Sequence, residues 1–131
     1  MITNTKMTVF NRYTDEMKNI IYKRHLIDNV FWDDIRSVNQ RLGYDNTDEV
    51  RIFIPKNKND MSGYVKPKQY TGSNGKWTLH EGDFIVRGNI NISQVSKIKE
   101  LEKYDDVFTI TLVDNKDFGS PDMQHFEIKG K

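Results

Sequence analysis

Three histidines, several acidic pairs and one lysine and tyrosine cluster are the places where this 131-residue chain could carry chemistry. A protein metal site needs imidazoles and carboxylates at ligand spacing, as in the i, i+4 pair of a helical zinc site. His25, His80 and His125 share no such spacing, so they read as surface or half-buried imidazoles bonded to backbone, and no metal is expected. Among the acidic pairs are Asp33-Asp34, Asp48-Glu49, Glu81 with Asp83, and Asp105-Asp106. A glycosidase holds two carboxylates roughly 5 to 9.5 Å apart across a cleft, whereas sequence neighbours on a strand point to opposite faces. Turn formation and solvation account for these acids better, and a hydrolase is the weakest of the readings.

Gly119-Ser120-Pro121 lacks the strand-to-helix elbow of a serine hydrolase, and Gly63 and Gly72 belong to no phosphate-binding motif. No catalytic residue, no cofactor and no enzymatic activity are therefore expected. The basic cluster says more. Lys56, Lys58, Lys66 and Lys68 stand close in sequence with Tyr64 and Tyr70 among them. Cations that neutralise phosphates beside rings that stack on bases are the tools of single-strand binders built on small barrels. The alternative is a solvated basic loop beside two half-buried tyrosines. Trp32 and Trp77 read as core residues whose indole N–H groups reach a carbonyl, or else as exposed anchors in a subunit interface.

The elements that must position these residues are mostly strands. Thr8 to Tyr13 and Asn19 to Ile27, separated by Thr14-Asp15-Glu16, read as a long hairpin, although Met17, Ile20 and Ile21 would also suit one face of a helix. Val50, Ile52 and Ile54 alternate until Pro55 removes a ladder donor. Trp77-Thr78-Leu79 and Phe84 to Ile90 flank the turn His80-Glu81-Gly82-Asp83, with Phe84, Val86 and Ile90 turned to the core. Ser93 can cap a helix over about 93–103, in which Val95, Ile98, Leu101 and Tyr104 form a stripe three residues apart. The last hairpin places Phe108, Ile110 and Leu112 on one face, turns through Asp114-Asn115, Gly119 and Pro121, and returns to Ile128.

This pattern predicts one mainly β domain over 1–131, a small β-barrel or sandwich of antiparallel hairpins with one short α-helix. Two long polar loops, at about 33–48 and 56–76, interrupt it, and compact domains keep such loops for a role. The net charge of +1, with cations spread along the chain, does not favour duplex nucleic acid. Without cysteine the fold must rest on packing, as suits a reducing compartment. No leader or bilayer-length apolar run is visible, so a soluble chain, cytoplasmic when made, is expected.

Taken in order, Thr8-Val9-Phe10-Asn11-Arg12, Asn29-Val30-Phe31-Trp32, Val50-Arg51-Ile52-Phe53-Ile54-Pro55, Trp77 through Gly88, and Gly119-Ser120-Pro121 through Phe126 resemble a known family. It comprises small proteins encoded among the virion structural genes of tailed phages and prophages of Gram-positive bacteria. The resemblance spans nearly the whole chain and rests on the order and spacing of short, non-catalytic motifs. It implies a place in the head-tail connector or minor capsid region, where head-closure (stopper) proteins are small β-barrels that form rings beneath the portal. The implied partners are portal or adaptor and tail-tube-side proteins, with DNA passing nearby and no membrane. The implied location is the virion, and the host cytoplasm before assembly. The resemblance brings no site residues, and it leaves adaptor, tail-terminator and decoration roles open beside the stopper. A ring of identical subunits needs two complementary surfaces on each, and the two long loops are the candidates to supply its vertical contacts. Ordering them only on assembly would suit a free monomer.

Overall fold

The computed structural model describes residues 2–35 and 49–131. Seven antiparallel strands run in chain order: β1 (Thr5–Thr14), β2 (Ile20–Ile35), β3 (Glu49–Pro55), β4 (Phe84–Arg87), β5 (Gln94–Val95), β6 (Val107–Lys116) and β7 (His125–Gly130). Their hydrogen-bonding order is β1-β4-β6-β7-β3-β2-β5, and β1 also pairs with β2. Six strands thus close into a barrel, and the two-residue β5 hangs on the outer edge of β2. Of barrel and sandwich, the barrel is what forms. Among the described residues no helix is long and apolar enough to cross a membrane.

The barrel interior is filled by every long strand. Met7 and Val9 of β1, Ile27, Val30 and Trp32 of β2, Val50, Ile52 and Ile54 of β3, Ile85, Ile110, Phe126 and Ile128 pack with Trp77 and Leu79. The alternation expected for Val50, Ile52 and Ile54 holds, and all three are fully buried. Gly130 lets β7 pass close to its neighbours. A Cβ there would sit 3.0 Å from both Phe108 Cβ and Val50 Cγ1, tighter than ordinary packing.

A second core lies on the barrel's outer face, where Phe10, Phe84, Val86, Ile90, Val95 and Leu101 cluster under the segment 88–106. It explains why Phe84-Ile85-Val86 is apolar without alternation: β4 is covered on both sides, as is β1. Phe84 and Val86 do turn to a core, but not to the one Ile85 fills. The Thr8 hydroxyl fastens the covering segment, donating to Gly88 O at 2.7 Å and accepting from Ile90 N at 2.9 Å.

Three expectations need correction. The α-helix over about 93–103 does not form; the segment carries β5 and a single 3-10 turn at Ile98–Leu101. Its apolar residues recur every three positions, which is the 3-10 period rather than the 3.6 of an α-helix. Trp77-Thr78-Leu79 is not a strand either, and β4 ends at Arg87. Finally, Leu112 leaves the face of Phe108 and Ile110. The β6–β7 register shifts between Ile110 and Leu112, so Thr111 is an extra residue and Val113 packs on the core in Leu112's place. One bulged residue exchanges the faces of everything after it.

Candidate functional site

Because neighbouring strands alternate in direction, β1, β3 and β6 all point the same way, and Thr14, Pro55 and Lys116 leave the barrel at one rim. The turns 15–19 and 117–124 project from that rim. The segment 56–83 departs at Pro55 and returns at Phe84, so it crosses the barrel end as a lid. Its 3-10 turns at Lys56–Lys58 and Pro67–Gln69 and its single bridge between Tyr64 and Trp77 leave it otherwise irregular, as expected for the loop 56–76. Of the other proposed loop, 33–48, Asp33 to Ile35 belong to β2, and residues 36–48 lie outside the described residues.

The lid is anchored by rings and amides. Trp77 is buried and stacks on His25 with ring centres 4.6 Å apart. Tyr64 meets Trp77 edge-on at 5.2 Å and leans on Phe126 at 4.9 Å. Both tryptophans are core residues, but neither indole N–H reaches a carbonyl. Trp32 Nε1 donates to Asp34 Oδ1 at 2.9 Å, and Trp77 Nε1 finds no acceptor among the described residues. Gly63 is needed where the lid folds back, because a Cβ there would stand 2.3 Å from Gly75 O.

Asn11 replaces the missing ladder at Thr78. Its Nδ2 donates to Thr78 O at 2.7 Å and to Asp83 Oδ2 at 2.8 Å, while Oδ1 accepts from Thr78 N at 3.1 Å. Asp83 also accepts from Arg12 N and His80 N. Burial pushes the Asp83 carboxyl up, and these hydrogen bonds pull against that shift. The arrangement satisfies every oxygen of a buried carboxylate and ties the turn 80–83 to β1. It is a structural clamp between the turn and the strand.

The six residues of the basic cluster are dispersed by the fold. Lys56 Nζ donates to Asn115 Oδ1 at 2.7 Å and to Asp117 Oδ1 at 3.2 Å, and lies 4.7 Å from the centre of the Phe126 ring. Lys58 presents its carbonyl to Asn29 Nδ2 at 2.8 Å. Tyr70 sits in a small pocket with Arg12 and Asp83, where burial above all, then Asp83 and Tyr13, push its hydroxyl up to about 12. Tyr64 is half-buried, and that burial raises its hydroxyl as well. Tyr64, Lys66 and Lys68 share one feature, a groove of about 710 Å³ that Leu79 and Val113 also line.

Beside this groove the rim exposes apolar side chains. Phe118 and Met123, in the β6–β7 turn, are 69% and 64% exposed, and Met17, in the β1–β2 turn, is 82% exposed. These side chains stand outside both hydrophobic cores. Sequence reasoning passed over Phe118 and Met123 because it read 117–124 only for turn formers.

The imidazoles of His80 and His125 meet backbone carbonyls of Glu81 and Met123 at 2.7 and 2.8 Å. His25 differs. Burial first, and the Arg24 charge second, pull it down to about 4, against the opposing pull of Asp28 and Asp60. Between pH 6.5 and 4 the unfolded chain therefore takes up a proton that the folded chain refuses. Stability is expected to fall as pH falls through that window, with a slope kept by solvent screening below about 1.4 kcal/mol per pH unit. Asp83, whose carboxyl is raised, acts in the opposite sense just above 3.8. Urea melts of His25→Phe, which keeps a ring on Trp77, should show a flatter profile from pH 6.5 to 4; an unchanged profile would remove His25 from the explanation.

Among the described residues no three of His, Asp and Glu gather as metal ligands. Residues 2–131 match a protein family described as a family of unknown function (DUF6751). No curated protein and no solved structure matches the chain.

Proposed function

Since the chain belongs to this family of unknown function (DUF6751), its role has to be read from its own surface, and we propose that it is a virion structural protein of a tailed phage or prophage. In this reading it is a head-closure or stopper-like subunit of the head-tail connector ring, bound by portal or adaptor proteins on one side and tail-tube-side proteins on the other. It works through protein contacts and performs no reaction. The observation that carries the reading is the rim: a closed barrel end sealed by a lid, with Met17, Phe118 and Met123 held outward on two short turns. A rigid body with apolar tips can dock without refolding, so little ordering entropy is lost on assembly. The ordered resemblance of its segments to phage connector-region proteins supports the same role. Electron microscopy of particles made without the gene should show filled or leaking heads that lack tails. Normal infectious particles would end the proposal.

Binding of single-stranded nucleic acid has one favouring observation, the shared groove of Tyr64, Lys66 and Lys68. Against it, Lys56 is already paired with Asp117, and both tyrosine rings are partly withdrawn from solvent. A low-salt titration with single-stranded DNA decides between them. Binding lost on reversing Lys66 and Lys68 would favour this reading, and no binding would remove it.

A further inference from the structure

We infer that the groove beside Lys66 and Lys68 receives the β6–β7 turn of a second copy of this chain, giving a two-fold dimer in which each turn enters the other's groove. The two surfaces are chemically matched. The groove has an apolar floor, Tyr64 and Val113 with Leu79 beneath, and its edge carries the exposed cations Lys66 and Lys68. The turn offers Phe118 and Met123 outward, flanked by Asp117 and Asp122. Asp117 keeps most of its carboxylate in solvent while it meets Lys56, and Asp122 accepts only a long bond of 3.2 Å from Asn57. Both acids can therefore face a second cation without losing the first partner.

Placement determines the symmetry. Val113 and Asn115 form one wall of the groove, and the same strand runs on directly into the turn at 117–124. Two complementary patches that adjoin on one subunit cannot each take a different neighbour, because the two neighbours would collide. A two-fold axis resolves this, since one partner then supplies both contacts. Glu81, which also lines the groove, opposes this complementarity by its charge and sets a limit on affinity. The dimer is a property of the free chain and uses the same Phe118 and Met123 tips that the assembly role offers to its neighbours, so it would have to part before assembly; particle morphology tests that role separately.

Sedimentation equilibrium of the full chain at low salt should give a dimer that weakens as salt rises. Two-fold symmetry places each substitution in the interface twice, so Phe118→Ser is expected to raise the dissociation constant on the order of 100-fold or more. Phe118 is exposed, so the melting temperature of the diluted monomer should stay put. Lys66→Glu with Lys68→Glu should also disperse the dimer, and adding Asp117→Lys with Asp122→Lys should restore part of it. A chain that stays monomeric at high concentration overturns the inference. So does association that ignores Phe118→Ser, or growth into larger open oligomers.

Discussion

Replacing Trp77 with alanine is expected to lower stability by about 3–5 kcal/mol. Trp77 is where the lid enters the barrel, and it touches His25 on one side and the Tyr64 edge on another. Its removal leaves a cavity that cannot collapse, because the closed barrel wall holds its radius. In a domain of this size the melting temperature should drop by on the order of 10–20 °C. Trp77→Phe is the informative companion. It keeps a ring against His25 and deletes the indole N–H, which has no acceptor among the described residues. Removing an unpaired buried donor offsets part of the lost contact, so Trp77→Phe should cost under about 2 kcal/mol. If the two variants melt together, the loss arises from something other than packing at this point.

Asn11→Ala is expected to follow, at about 2–4 kcal/mol. The substitution strands the Thr78 N–H, the Thr78 carbonyl and one bond to the Asp83 carboxylate in a site sealed from water. Each unsatisfied group costs about 1–3 kcal/mol, and neighbours in one network do not add in full. Asn11→Asp should be worse at neutral pH, since a second carboxylate would face Asp83, and should recover as pH falls and one proton is shared between the pair. Chemical denaturation across pH 7 to 4.5 reads both effects. A cost below 1 kcal/mol for Asn11→Ala would mean that the clamp is dispensable.

What the sequence discloses and what it conceals divide along a physical line. Local alternation was enough for β3, where Val50, Ile52 and Ile54 see one environment throughout, and Pro55 stops the strand. The mainly β fold and the irregular segment 56–76 were legible for the same reason: they depend on neighbours in the chain. Residues that depend on distant partners were not. Nothing near Thr111 announces a bulge, because the bulge is set by pairing with Lys129 and Ile128. Nothing near Lys56 announces Asn115 and Asp117, some sixty positions away, which turn a candidate phosphate ligand into a strut. The stripe from Val95 to Tyr104 looks helical by its apolar character, while its period of three is that of the 3-10 turn that forms. Phe118 and Met123 carried a signal, apolar side chains within a run of turn formers, that composition alone renders as a loop.

The position of β7 in the barrel has a consequence for how the molecule comes into being. It is the last strand in sequence, yet it lies between β3 and β6 and bonds to both. Until β7 is in place between β3 and β6 the barrel wall cannot close. During that interval the waiting edges of β3 and β6 are open to any extended segment nearby.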